Sequence, residues 1–135
     1  MPNAQRVVCL KAHIEDKPGS LLAVLKELKA KNLGLIALWA SAGEVGWTNL
    51  YVIPKNPEKV RNLWKESSLL VEERTAFFLK GTDKTGVLVK TLDAIAQTGI
   101  NLIRTEALAV GGKYGAFFLV APADVDKMAK AVGAK

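Results

Sequence analysis

The chain repeats itself at one fixed spacing. Aligning the sequence with itself places Asp16 on Asp83, 67 residues further on, and the same spacing continues through the following residues without a gap. Identical residues then coincide at further positions: Lys17 with Lys84, Gly19 with Gly86, Leu21 with Leu88, and Leu25 with Leu92. Because the 135 residues hold two such copies and little else, the chain is predicted to fold as the same small unit twice.

Each copy predicts the same order of elements: strand, helix, strand, strand and helix. The first strands, residues 7–14 and 75–80, show mixed apolar alternation, and an acidic turn follows each of them. The helix after each turn has apolar residues at helical spacing, namely Leu21, Leu25 and Leu28 in the first copy and Leu88, Leu92 and Ile95 in the second. A hairpin comes next, and a second helix starts after Pro57 or Pro122, since proline suits a first helical turn.

This order of elements is most of a ferredoxin-like βαββαβ unit, in which helices cover one face of an antiparallel sheet. Residues 69–73 supply the fourth strand of the first copy, whereas only "GAK" follows Val132 in the second. We therefore predict an α+β protein of two tandem ferredoxin-like units, residues 1–73 and 74–135, the second of them truncated to βαββα. The sheet edge near residues 77–80 should meet another strand or be covered by a neighbour, and a partner chain is one source of such a strand.

Composition narrows the functional classes. Half of the residues are hydrophobic, so a core can form, and the net charge of +6 is spread along the chain, which gives a mild preference for anionic partners. The single cysteine, Cys9, excludes an internal disulfide and, with the one histidine, His13, cannot supply a zinc site of the usual Cys/His kind. No apolar run suits a membrane span or a signal peptide, so we expect a cytoplasmic protein without metal or cofactor.

The two acidic turns are the candidate sites. They comprise Asp16, Lys17, Pro18, Gly19, Ser20 and Leu21 in the first copy and Asp83, Lys84, Thr85, Gly86, Val87 and Leu88 in the second. Each turn can be read simply as the start of a helix. The same features also suit an anion, because unpaired amides and the helix dipole attract a carboxylate or phosphate and glycine allows close approach. Neither turn ends in the Gly-Lys-Ser/Thr of a nucleotide loop, which favours a small carboxylate.

Catalysis has few candidate residues. Glu15 and Asp16 are adjacent on a turn, where acidic residues are usually solvated, so we predict no catalytic residue and no enzymatic activity. His13 is interpreted as an exposed strand histidine, although its nearness to the turn keeps a ligand role open. Cys9, which has no basic neighbour in the sequence, is interpreted as a small buried hydrophobe.

Nucleic-acid binding is an alternative, because ferredoxin-like sheets with exposed aromatic and basic residues can stack RNA bases. Phe117 and Phe118 are adjacent, so their side chains point to opposite faces of the strand, and no basic residue accompanies them in "YGAFFLVAP". Nucleic acid is therefore a disfavoured partner. The tryptophans, Trp39, Trp47 and Trp64, are expected in a core or an interface.

The segment "DKPGSLLAVLKELKAKNLGLIAL" resembles the opening of the ACT domain, a small ligand-binding module of amino-acid metabolism, and "DKTGVLVKTLDAIAQTGINLI" is similar to it. The two resemblances cover essentially the whole chain, as tandem ACT-like units without an attached catalytic domain. They imply the βαββαβ fold and the side-by-side pairing of units. They also imply a small ligand, such as an amino acid, between the first loop of one unit and another unit.

The resemblance gives roles to the turn residues. The two aspartates are the polar residues of the loop, and the two glycines admit the ligand to the amides of the next two residues. The resemblance adds Asn101 at the start of the second strand of the second copy, where the first copy has Gly34. The family's proline is kept as Pro18 and is replaced by Thr85 in the second copy.

The resulting expectation is a regulatory or sensor protein that binds a small molecule, most simply an amino acid, through ligand-dependent association of ACT units. A homodimer and a regulated partner enzyme or regulator are expected with it, and no membrane partner. Two alternatives stay open: a basic RNA-binding module, and a protein-interaction module whose sites hold no ligand.

Overall fold

The computed structural model describes residues 3–135, which form six strands and four α-helices. The strands are β1 (Asn3–Glu15), β2 (Leu35–Ala42), β3 (Trp47–Pro54), β4 (Leu70–Thr82), β5 (Arg104–Val110) and β6 (Lys113–Leu119). The helices are α1 (Ser20–Ala30), α2 (Pro57–Glu66), α3 (Val89–Gln97) and α4 (Val125–Val132), the last preceded by a 3₁₀ turn at Pro122–Asp124. The α+β class predicted from the sequence is confirmed.

The contacts divide the chain into two compact units. The first unit is Val8–Arg74, and the second combines Thr75–Lys135 with the start of the chain, described from residue 3 to residue 7. The sequence-based division at residues 73 and 74 instead assigned the whole N-terminus to the first copy. Each of the two longest strands, β1 and β4, therefore contributes residues to both units.

The first unit has the strand order β2-β3-β1-β4. Its hairpin strands β2 and β3 are antiparallel, and β3 also pairs antiparallel with β1, with Leu10 opposite Val52. Apolar residues of β1 and β3 pack against α1 and α2 in one core, which contains Leu10, Ala12, Ile14, Val24, Leu28, Leu50, Val52, Val60 and Trp64. The order and direction of these strands are those of a ferredoxin-like unit.

The second unit has the strand order β1-β4-β6-β5. Its fourth strand is residues 3–7 of β1, and Ala4 from that segment packs against the core of the unit. The prediction that this unit lacks its last strand, and with it the truncated βαββα form, is therefore wrong. The strand was missed because it precedes its unit in the chain, whereas sequence order directs attention to the residues after Val132, and because Asn3, Gln5 and Arg6 give it a polar appearance.

The fixed spacing of the repeat extends to this unexpected strand. Residues 3–7 lie 67 positions before residues 70–74, which are the fourth-strand residues of the first unit. The second core contains Phe77, Leu79, Ile95, Ile100, Tyr114, Ala116, Phe118, Val120, Met128, Ala129 and Val132. The strand β4, which contains residues 77–80, thus has both of its neighbouring strands, β1 and β6, within the chain itself.

Helix ends follow the local sequence signals. Asn56 caps α2 by accepting a hydrogen bond from the Lys59 amide at 3.2 Å, and Pro57 occupies the first turn. After α1, Asn32 has a left-handed backbone with φ of 56°, and after α3 Gly99 has φ of 77°. Asparagine and glycine tolerate this backbone conformation better than other residues do, so they suit the end of a helix.

Candidate functional site

The acidic turn of the first unit leads directly into α1. Gly19 is the N-cap and has a left-handed backbone with φ of 90°, which glycine adopts without the steric cost that a side chain brings. The Ser20 amide donates to the Lys17 carbonyl at 3.3 Å, and the Ala23 amide donates to the Gly19 carbonyl at 3.0 Å. The helix therefore starts where the sequence predicts it.

Asp16 and Leu21, both predicted site residues, contact other elements of the first unit. The Asp16 amide donates to the Gly46 carbonyl at 3.0 Å, and Asp16 Oδ1 accepts from Thr48 Oγ1 at 3.4 Å. Leu21 packs against the core of the first unit. Asp16 thus fastens the turn to the hairpin of β2 and β3, and Leu21 anchors the helix.

A cleft with a volume of about 770 Å³ opens beside this turn, entirely within the first unit. It brings together four of the predicted site residues, Lys17, Pro18, Gly19 and Ser20. Such a volume lies within the usual range of small-molecule sites, which is about 300–1,000 Å³. The predicted turn is therefore one wall of a space large enough for a metabolite.

The other walls of the cleft were not assigned from the sequence. They are formed by His13, Ile14, Glu15, Ala23, Val24, Glu27, Trp47, Ser68, Leu69 and Val71. One signal was available, since Ala23 and Glu27 follow Gly19 at intervals of four residues and so lie on one side of the helix. The contribution of Trp47 depends on the strand register that sets it opposite Glu15, which the sequence does not define.

Charged and aromatic side chains line the mouth of the cleft. Lys17 Nζ lies 2.9 Å from Glu15 Oε2, in a pair whose side chains are more than half exposed, so the pair contributes little to stability. The rings of His13 and Trp47 stack with centroids 5.9 Å apart and an interplanar angle of 27°. Trp64 is buried as expected, whereas Trp47 is 42 % exposed, so an aromatic surface borders the cleft.

Comparison with known proteins identifies the family. The model of the ACT domain pair matches residues 5–132. The chain belongs to this family. The resemblance to the ACT domain seen in the sequence is thereby confirmed, and the match takes in both units. No curated protein matches the sequence significantly.

Solved structures share the fold of this ACT pair. The crystal structure of protein BT0572 from Bacteroides thetaiotaomicron is similar with a TM-score of 0.83 and 20 % identity, over 96 % of this chain and 88 % of that one. The regulatory subunit of aspartate kinase from Thermus thermophilus is similar with a TM-score of 0.62 and 14 % identity, over 98 % and 94 %. A structure of aspartokinase alpha and beta subunits gives 0.63 and 13 %, over 98 % and 96 %.

The acidic turn of the second ACT unit has a different backbone. The Val87 amide donates to the Lys84 carbonyl and the Val89 amide to the Gly86 carbonyl, both at 3.0 Å. These are turn bonds, and α3 starts only at Val89, with Leu88 as its N-cap. The helix thus begins later than the sequence repeat predicts. Thr85 stands where the first unit has Pro18, so this turn lacks the proline that restricts φ ahead of the helix.

A buried tyrosine occupies the second unit at the position of Trp47. Tyr114 lies 67 residues after Trp47, is 6 % exposed and belongs to the second core. Its Cε1 atom is only 2.9 Å from the place where a Cβ atom on Gly81 would lie, and Gly81 corresponds in the repeat to Ile14. The ring therefore packs directly over the glycine backbone beside the second turn.

The hydroxyl of Tyr114 is a buried polar group. It has no hydrogen-bond partner among residues 3–135. Burial raises the pKa of this hydroxyl above its ordinary value of 10.0, because the charged phenolate is poorly solvated in the core. The second unit thus differs from the first in the backbone of its acidic turn and in the tyrosine ring that is buried beside this turn. It also differs in the buried hydroxyl group of that ring.

The remaining predicted residue, Asn101, is exposed in the segment between α3 and β5. Among residues 3–135, no group of three or more His, Cys, Asp and Glu side chains is arranged to hold a metal ion. In the same part of the chain, no helix combines the length and apolar character that crossing a membrane requires.

Proposed function

We propose that this ACT pair is a cytoplasmic regulatory protein that binds a free amino acid, and that it is not an enzyme. The observation that carries the proposal is the cleft of the first unit, which places Lys17, Gly19 and Ser20 around one space of metabolite size. Membership of the ACT domain pair family supports a small ligand. Structural likeness to the regulatory subunit of an aspartate kinase supports a regulatory role.

The proposed pose uses the amides at the start of α1, where the Ser20 amide would exchange its 3.3 Å bond to the Lys17 carbonyl for the ligand. The ligand carboxylate would accept from the amides of residues 19–21, where the helix dipole favours negative charge. Lys17 would add an attractive charge at the same end of the cleft. Asp16, which is hydrogen-bonded to Thr48, would hold the turn in shape.

The second turn is a separate, weaker candidate. Asp83, Lys84, Thr85, Gly86, Val87 and Leu88, with Asn101, would form the corresponding subsite if the second unit bound a ligand as well. In the regulatory mechanism, the ligand binds one association state of the ACT units more tightly than the other, and a homodimer is the simplest such state. A partner enzyme or regulator then reads the shifted equilibrium.

A thermal-shift screen tests the proposal. The purified chain would be heated with each of the twenty amino acids at millimolar concentration, and a binding amino acid should raise Tm. A ligand at a hundred times its Kd stabilises the folded state by about 2.7 kcal/mol, which is several degrees for a protein of this size. Lys17→Ala should reduce the shift, and Lys84→Ala, at the matching place in the second turn, is the control. No shift with any amino acid contradicts the proposal.

One observation favours RNA binding as a second function. Lys11, Tyr51 and Trp39 are direct neighbours across three strands, on the face opposite to the first core. Trp39 and Tyr51 stack with centroids 5.4 Å apart at 9°, and Lys11 Nζ lies 5.7 Å from the centre of the Tyr51 ring. Aromatic rows with a cation on a sheet can stack bases.

A gel-shift titration with single-stranded RNA separates the two functions. RNA binding would be lost as the salt concentration rises and would be weakened by Lys11→Glu, with Lys113→Glu in the second unit as a charge-matched control. Absence of any shift at low salt contradicts this function. A ligand-free interaction module, the third possibility, gives neither a thermal shift nor a gel shift.

A further inference from the structure

The cleft of the first unit has an apolar wall that the amide end of the site does not explain. Ala23 and Val24 of α1 face the same space as Leu69, which directly precedes β4, and Val71 of β4. Val71 is 49 % exposed and Trp47 is 42 % exposed. Exposed apolar side chains gathered around one concave space mark a binding site more often than scattered ones do.

The same cleft holds one carboxylate that has no cation. Glu15 is already paired with Lys17 at 2.9 Å. Glu27 also lines the cleft, and within residues 3–135 it takes part in none of the ion pairs. A carboxylate in such a place is suited to an ammonium group that arrives with a ligand.

The distance between the two polar ends fits an α-amino acid. At a rise of 1.5 Å per residue, the Cα atom of Glu27 lies about 10 Å along the helix axis from that of Ser20. Side chains lean toward the N-terminus of a helix, which brings the Glu27 carboxylate several ångströms closer to the first amides of α1. The space left between these amides and the Glu27 carboxylate is about the length of an amino-acid zwitterion that is hydrogen-bonded at both ends. The side chain of the amino acid is then left to contact the apolar wall.

The matching positions of the second unit do not provide these groups. Ala23 corresponds to Lys90, Glu27 to Ala94 and Trp47 to the buried Tyr114. The carboxylate is absent there, a cation replaces the small apolar residue, and the aromatic ring fills the core beside Gly81. The chemistry of the cleft therefore belongs to the first unit alone.

We propose that the cleft of the first unit selects an α-amino acid with a bulky apolar side chain, held by Glu27 at its ammonium group and by Ala23, Val24, Leu69, Val71 and Trp47 along its side chain, with one ligand per chain. This inference rests on the proposed function and adds the ligand class, the specificity residues and the stoichiometry. Burial of the apolar side chain gives the selectivity, because each buried methylene contributes about 0.8 kcal/mol.

Calorimetric titration of the full chain tests the inference with two groups of ligands. Leucine, isoleucine, methionine and phenylalanine form one group, and glycine, aspartate, threonine and lysine the other. The expected result is one site per chain, with at least tenfold tighter binding of the first group. Binding of only the second group, or two equivalent sites per chain, overturns this inference and leaves the proposed function standing. Binding of neither group overturns this inference, and a negative thermal-shift screen of all twenty amino acids would remove the proposed function as well.

Two variants assign the residues. Glu27→Gln keeps the size of the side chain and removes its charge, and it should weaken binding about tenfold to a hundredfold. Asp93→Asn, on the exposed surface of α3, is the charge-matched control and should leave the affinity unchanged. Val71→Asp should abolish the preference for the apolar group, and unchanged unfolding curves show that each variant is folded. Unaltered affinity in Glu27→Gln, or an unaltered preference in Val71→Asp, overturns the assignment.

Discussion

The two units start from the same sequence pattern and finish their acidic turns differently. In the first, Gly19 is followed at once by α1, Ile14 is buried in the core and Trp47 borders an open cleft. In the second, two further residues, Val87 and Leu88, come between Gly86 and α3, Gly81 replaces Ile14, and the ring of Tyr114 is buried against it. The difference shows that a repeat can preserve its fold while one copy keeps a cleft beside the turn and the other packs a ring there.

The burial of the Tyr114 ring depends on the glycine at position 81, where the first unit has Ile14. A side chain at position 81 would collide with the Tyr114 ring, whose nearest atom is 2.9 Å from the Cβ position. A large aromatic residue could therefore enter the second core only together with the glycine. In the first unit the isoleucine already fills the core, and the aromatic residue stays outside against His13.

The largest expected effect on stability comes from shortening the buried side chain of Ile14 in the first core. Ile14 is 5 % exposed, and Ile14→Ala removes its buried side-chain atoms and leaves a cavity. We expect the free energy of unfolding to fall by about 2–5 kcal/mol, measured by urea denaturation. Val71→Ala, on the exposed wall of the cleft, is the control and should cost much less. A loss below about 1 kcal/mol in Ile14→Ala would show that Ile14 is less important to its core than its burial indicates.

The next effect comes from adding a side chain to the second core. Gly81→Ala should lower the free energy of unfolding by about 1–3 kcal/mol, because the new methyl group meets the Tyr114 ring. Gly34→Ala is the matched control, since a Cβ there meets only the flexible side chain of Lys55. Combining Gly81→Ala with Tyr114→Ala should give a coupling energy of at least about 0.5 kcal/mol. Simple additivity of the two losses would contradict the proposed dependence of the ring on the glycine.

A smaller effect is expected from removing the hydroxyl of Tyr114. The hydroxyl is buried without a hydrogen-bond partner among residues 3–135, so Tyr114→Phe should be neutral or stabilising by up to about 1 kcal/mol at pH 7. The raised pKa in the folded state means that the unfolded chain loses this proton first as the pH rises above 10.0. The parent should then lose stability at alkaline pH in a way that Tyr114→Phe does not.

Urea unfolding at pH 7 and above pH 10 checks this difference. Tyr51→Phe, which alters a half-buried ring of the first unit, on the face opposite to that unit's core, is the control for a general alkaline effect. Equal loss of stability in Tyr114→Phe and the parent at alkaline pH would mean that the hydroxyl is not desolvated in the folded protein.

The smallest effect on stability is expected at the turn itself. Lys17→Ala breaks the exposed ion pair with Glu15, and such pairs contribute about 0–1 kcal/mol. The free energy of unfolding should therefore change by less than about 0.5 kcal/mol without ligand. A larger loss, measured in urea at moderate salt, would show that Lys17 has a structural role that its exposure does not suggest.

Local signals and the repeat were sufficient to predict the α+β class and the order of elements in each copy. These features depend on nearby residues, which the sequence displays directly. The fourth strand of the second unit depends on residues 3–7 finding a partner about seventy positions away. Neither alternation nor turn residues indicate such a pairing.

The sequence predicts only the part of the candidate site that lies on one continuous stretch of the chain. Lys17, Pro18, Gly19 and Ser20 were assigned from one continuous stretch, and the structure places all four in the cleft. Glu27 lies two helical turns further on, and Trp47 and Val71 enter from other strands. Their contribution depends on strand register and helix rotation, which are set by packing.

The division of β1 between the units also has a consequence for the order of events during protein synthesis. Val8–Arg74 is continuous, so the first unit can fold as soon as it leaves the ribosome. Residues 3–7 emerge earlier than any of it, yet they belong to a unit that is complete only when α4 has been made. This strand segment is thus synthesised before the rest of its unit and is among the last to find its place, and until then β4 lacks one neighbouring strand in the second unit.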